Sequence, residues 1–170
     1  MKGTLKRLDT VHDKLSTAIR TTDPNLVFKR PGDDEWSIAE VVQHLCLAEQ
    51  HVLKDLKKGL QNGPANVGFF KKLITMRIIS WRLVRVKAPR AVTPNDPPPM
   101  DELLTQYAQV RVDLKQLCVE SGTDRLKEIR FRHPFLGDID GMAAISMIGF
   151  HEERHYKQIR EILKKLGALS

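Results

Sequence analysis

At 170 residues, 41% hydrophobic and 29% charged, the chain is the size of one soluble globular domain able to bury its own core. No run of about 18 apolar residues marks a membrane span, and the stretch from Met1 to Arg7 lacks the apolar core of a signal peptide. A cytoplasmic protein is therefore expected, with Cys46 and Cys118 as reduced thiols too far apart in sequence for a metal-type pair. The net charge of +7 has a local origin: residues 57 to 95 hold nine Lys/Arg and no Asp or Glu, and the remainder is slightly acidic. Such a distribution argues against a chain that coats nucleic acid over its whole surface and for a single basic face.

The first helical pattern runs from about Thr4 to Thr21, with Leu5, Leu8, His12, Leu15 and Ile19 on one face. Asp23-Pro24 and Arg30-Pro31-Gly32 break it. A second helix opens at Trp36-Ser37, where Ser37 is an N-cap and Glu40 completes a capping box. Its inward face reads Ile38, Val41, Leu45, Ala48 or Glu49, Val52 and Leu56, and its end is expected near Lys58-Gly59.

Residues from about 62 to 90 form a basic insert that is also rich in Phe, Ile, Leu, Val and Trp. Its apolar content predicts packing on the bundle or on a second subunit, so a homodimer is one expectation. A membrane-surface or anion-binding role, with Arg82 and Arg85 as candidate cations, is another. No nucleic-acid recognition motif accompanies the charge.

A third helix follows Pro97-Pro98-Pro99, with a stripe of Leu103, Tyr107, Val110, Leu114 and Leu117, and closes before Ser121-Gly122. His133-Pro134-Phe135-Leu136-Gly137 reads as a loop, and no segment carries a convincing strand signal. The fourth helix spans about Asp140 to Leu166, with Met142, Ile145, Ile148, His155, Ile159, Ile162 and Leu166 inward and Gly167 as its stop. Four amphipathic helices of this length predict an all-α, antiparallel four-helix bundle, one domain over residues 1–170.

Six histidines invite a chemical reading. His12 on the apolar face of its helix reads as a hydrogen-bonded core residue, and His51 as a surface one. His151 and His155 are four apart, hence one turn apart on one face, a spacing that lets two imidazoles close on a divalent cation. His44 lies at the edge of the apolar stripe of its own helix, where a side chain reaches between helices. One histidine on one helix and a pair on another can converge on a metal inside a bundle, leaving a fourth position open. Cys46 points to a different side of the helix.

The segment Trp36-Ser37-Ile38-Ala39-Glu40-Val41-Val42-Gln43-His44-Leu45 resembles the Trp-Ser-x-x-Glu-x-x-x-His-Leu signature of the DinB-like superfamily. The loop at His133-Pro134 and Gly137, followed by a helix with His151 and His155, is similar to that family's C-terminal part. The resemblance covers nearly the whole chain apart from the insert. It implies a four-helix bundle of DinB/YfiT type whose three-histidine metal site falls on His44, His151 and His155. It also implies a divalent metal, zinc or nickel before copper or iron. Some relatives conjugate a low-molecular-weight thiol to electrophiles, which makes thiol transfer to a small-molecule substrate the first functional expectation.

Hydrolysis of a small amide or ester is the alternative, with Glu152 or Glu40 as proton acceptor. Glu152 flanks the face of His155, and the competing reading has it bonded behind the ligands or facing solvent. Glu40 fits the capping box and also a place behind His44, and His133 a place at the mouth of the site. The letters His-Glu-x-x-His match a metalloprotease motif, but Gln158 and Glu161 stand where its extended form needs Gly and His. A non-catalytic, stress-linked metal-binding module is the third reading, and histidines that serve only as core residues the fourth.

Overall fold

Each helix follows an apolar stripe, and two of the four open on a side-chain cap. The computed structural model describes residues 1–65, 88–133 and 137–169. Helix α1 (Lys2–Arg20) buries Leu8, Leu15 and Ile19. A loop follows, tied to the next helix by Ala39 N–H donating to Val27 O at 2.9 Å. Helix α2 (Ile38–Asn62) opens on the expected capping box: Ser37 Oγ accepts from Glu40 N–H, and the Glu40 carboxylate accepts from Ser37 N–H.

Helix α2 continues to Asn62, one turn past the predicted stop, and Gly63 takes the positive φ of +83° that ends it. Gly59 has another purpose. A Cβ there would lie 3.3 Å from the Ile129 side chain, so the glycine admits a close neighbour instead of terminating the helix. The basic insert falls largely on residues 66–87, outside the described residues, and with it the expectations for Arg82 and Arg85.

After a 3-10 turn at Arg90–Val92, helix α3 (Met100–Glu128) carries Leu103, Tyr107, Val110, Leu114 and Leu117 inward. Its predicted end survives as a break: Gly122, at φ +73° and ψ 167°, interrupts the helix, which then resumes to bury Leu126. A short antiparallel hairpin follows, β1 (Arg130–His133) on β2 (Gly137–Asp140), with Phe131 opposite Ile139. This corrects the expectation of a plain loop there. Four-residue strands with one buried apolar residue each are too short for alternation to register in a sequence. Asp140 caps helix α4 (Gly141–Lys165) by accepting from Ala143 N–H, and Gly167 at φ +75° follows its end.

The architecture is a four-helix bundle, as expected, with the hairpin at one end. Its apolar core is split in two. One cluster, on the hairpin side, gathers Leu8, Val52, Leu56, Leu114, Phe131, Ile139 and Ile148. The other gathers Leu15, Ile38, Leu45, Leu103, Val110, Ile159 and Ile162. In sequence, every helix crosses from one cluster to the other at a polar residue: His12 on α1, Glu49 on α2, Arg111 on α3 and Glu152 on α4.

Candidate metal centre

The three expected histidines meet. His44 reaches inward from α2 and is 5% exposed, and its ring packs against Trp36 at a centroid distance of 5.0 Å. His151 and His155 come from successive turns of α4. His44 Nε2 stands 3.2 Å from His151 Nε2, which stands 3.0 Å from His155 Nε2. One potential ligand atom from each lies within 4.8 Å of the others.

The outer ring nitrogens explain why the inner ones converge. His44 Nδ1–H donates to Val92 O at 2.7 Å, and His155 Nδ1–H donates to Gln158 Oε1 at 2.8 Å. Both acceptors fix the tautomer, so both Nε2 atoms present lone pairs to the centre. His151 Nε2 can carry at most one proton and can give it to one of these neighbours only. At least one contact therefore sets lone pair against lone pair. A shared cation removes that repulsion, and four-coordinate zinc sets its ligand nitrogens roughly 3.3 Å apart. The donor set and its spacing fit a divalent metal.

Burial keeps the donors in the state a metal needs. Desolvation lowers the pKa of His44, and that of His155 falls well below the ordinary value through burial and the neighbouring imidazoles. His151 is lowered to about 3 by burial, then by the charges that His44, Arg154 and His133 would carry. All three rings are neutral at neutral pH. His133, at the end of β1, is also lowered by desolvation.

The carboxylates named from the sequence are engaged elsewhere. Glu40 binds Ser37 and Arg30, and a backbone carbonyl, not Glu40, takes the outer nitrogen of His44. The Arg30 guanidinium and the Ser37 contacts hold the Glu40 carboxyl below its usual range despite partial burial. Glu152 is fully buried, which removes the solvent-facing alternative. It accepts from Tyr107 Oη and from Arg111 Nη2 at 2.6 Å, with His12 Nδ1 at 3.5 Å. None of these partners is a member of the triad.

Sequence reasoning missed the rest of this layer. Arg111 Nη2 also donates to Glu49 Oε1 at 2.8 Å, and both side chains are at most 5% exposed. Burial and the neighbouring Glu152 push Glu49 well above the carboxylate range, against the pull of Arg111. Burial opposes the Arg111 charge, but Glu49 and Glu152 outweigh it and raise its pKa. The signal was present, since Glu49, Arg111 and Glu152 each sit on the inward stripe, at 45+4, 107+4 and 148+4.

Two further features bear on chemistry. Cys46 is pushed up to about 11 by burial and by Glu49, and burial also raises Cys118. Neither is a ready nucleophile. A groove of about 680 Å³ between α2 and α3, lined by Lys54, Lys57, Lys58, Gln50, Gln106 and Asp113 among others, contains none of the three histidines.

Comparison with known proteins agrees with the geometry. An uncharacterized protein of Bacillus subtilis, YuaE, is 28% identical over 142 residues, covering 81% of this chain and 83% of its own. The structure of YfiT from Bacillus subtilis, described as a probable metal-dependent hydrolase with an unusual four-helix bundle topology, superposes with a TM-score of 0.66. The match covers 99% of this chain and 88% of YfiT at 20% identity. TT2238, a four-helix bundle protein, superposes with a TM-score of 0.63 at 18% identity, over 94% of this chain and 98% of its own. Residues 7–159 match the DinB superfamily, and the chain, with its bundle fold and its buried three-histidine group, belongs to that superfamily.

Proposed function

We propose that the protein is a divalent-metal-dependent enzyme that joins a low-molecular-weight thiol to a small electrophile at His44, His151 and His155. The convergence of Nε2 lone pairs from rings whose Nδ1 atoms are already bound is the observation that supports a metal there. A divalent cation held by these rings supplies Lewis acidity, which favours the deprotonated form of a thiol or water at an open position.

The engagement of the chain's own carboxylates supports the first of the two chemistries. Hydrolysis calls for a group that accepts a proton from the attacking water. Of the two glutamates named as proton acceptors, Glu152 has Oε1 held by Arg111 and Tyr107, and Glu40 has its carboxylate held by Arg30 and Ser37. A thiol, already acidic beside a cation, needs no such base. In the proposed reaction a carbon–sulfur bond forms, the bond from that carbon to its leaving group breaks, and the thiol proton leaves with the departing group. The chain's cysteines are too basic to substitute for an added thiol. Arg82 and Arg85 in the basic insert are the candidate partners of an anionic thiol, and replacing both by Ala should raise its KM.

Metal-dependent hydrolysis is the second reading, favoured by the likeness to YfiT. The deciding experiment is metal analysis of untagged protein beside His155→Ala, followed by assays with thiol plus electrophile and with esters and amides. About one metal per chain, lost in the mutant, with thiol consumed in step with the electrophile, supports the proposal. Turnover of esters or amides without thiol would replace it by hydrolysis. Absence of metal after reconstitution would remove both.

A further inference from the structure

The charged layer across the core adjoins the histidine centre through α4, where Glu152 lies between His151 and His155. On α2, Glu49 lies five positions after His44, about one and a half turns along. Arg111, from α3, donates to both carboxylates through the same nitrogen, at 2.8 and 2.6 Å. One guanidinium thus links the two helices that carry all three histidines. Tyr107, one turn before Arg111 on α3, gives its hydroxyl hydrogen to Glu152 as well.

Stability alone does not account for this arrangement. Two carboxylates and a guanidinium taken out of water lose more hydration than they regain unless every group is bonded, and hydrocarbon in their place is often neutral or stabilising. Arg111 Nε and Nη1 and one oxygen of each glutamate make no hydrogen bond among the described residues. What the layer supplies, and hydrocarbon does not, is a fixed separation between α2 and α4, set by two short charge-assisted hydrogen bonds to one atom.

We infer that Arg111 and Glu49 are positioning residues of the histidine centre, holding His44 at the distance from His151 and His155 at which one cation is shared. This rests on the metal reading of the triad. Neither residue touches the metal or the substrate; both act through the spacing of the helices.

Cobalt(II) titration of the full chain, read by its d–d absorption, with zinc(II) competition, tests this. Glu49→Leu removes the α2 arm and leaves Arg111 and Glu152 as a balanced pair, so the metal-free chain should unfold at or above the wild-type temperature. Its cobalt Kd should nevertheless rise ~10-fold or more, with an altered d–d spectrum. Glu49→Gln keeps the acceptor for Arg111 and should restore the Kd to within about two-fold of wild type. Leu56→Ala, about 18 Å along α2 from His44, should lower the unfolding temperature and leave the Kd alone.

A Glu49→Leu Kd within about two-fold of wild type overturns the positioning role and leaves the metal centre standing. An equal rise in Leu56→Ala overturns it too, because lost stability would then explain both. A wild-type chain that takes up neither cation overturns the metal reading and this inference with it. If Glu49→Leu does not fold, Arg111→Lys, which keeps the charge but not the planar fork, carries the same readout.

Discussion

Gln158 aims His155. Its Oε1 accepts from Nδ1 at 2.8 Å from three residues further along α4, which leaves Nε2 as the inward lone pair. Gln158→Leu removes that acceptor and frees the ring to take the other tautomer. The cobalt(II) Kd should rise ~10-fold, the loss typical of a missing partner behind a metal-bound histidine. Circular dichroism should show the helices intact. An unaltered Kd would mean that packing alone orients His155.

The metal-free protein should lose stability as the pH falls below the range of free histidine. In the unfolded chain these rings titrate near 6.5, while in the fold His44 and His155 are lowered and His151 is lowered to about 3. Between those limits the unfolded state binds more protons, so stability is complete above about pH 6.5 and declines as the pH drops through that window. Urea denaturation at pH 7.5 and pH 5.0 should differ by at least about 1 kcal/mol, and His151→Ala should shrink the difference. A flat profile would show that the rings are not held neutral.

Neither thiol should react in the native state. With Cys46 pushed up to about 11 and the Cys118 thiol also raised by burial, almost no thiolate exists at neutral pH. A disulfide reagent should modify both cysteines only after denaturation, and Cys46→Ala should leave turnover unchanged. Rapid labelling of the folded chain would reopen the possibility of a protein-borne nucleophile.

Gly141 is where α4 meets the end of α3 with no room for a side chain. A Cβ at this position would sit 2.7 Å from Leu126 O and 2.8 Å from Ile129 Cδ1. The first of these is backbone and yields little, so Gly141→Ala should cost about 1–3 kcal/mol in denaturant unfolding. A substitution without effect would show that the end of α3 moves freely against α4.

The helices were legible because each joins a stripe to a punctuation mark: Ser37 and Glu40 before α2, the three prolines before α3, Gly167 after α4. The histidine cluster was legible mainly through the resemblance carried by the Trp36–Leu45 motif, with support from His151 and His155 sharing a face and His44 sitting at a stripe's edge. What escaped has a common physical origin. The carbonyl of Val92 and the strand pair at Phe131 and Ile139 are backbone matters that no side-chain pattern records. Arg111 was passed over, and Glu49 and Glu152 were not joined to it, because a charge at a core position reads as an irregularity in the stripe until its partners on other helices are known.

The split core also constrains how the helices slide. A bundle with an unbroken apolar seam can shift one helix by a turn, about 5.4 Å, and still meet hydrocarbon with hydrocarbon. Here such a shift would carry Arg111 away from Glu49 and Glu152 and lay it against the Leu45 and Leu103 cluster or the Leu56 and Phe131 cluster. An unpaired buried charge costs about 3–5 kcal/mol, a large share of the stability of a domain this size. His12, Glu49, Arg111 and Glu152 therefore act as alignment marks, one on each helix, and the chain has a single vertical setting in which they coincide.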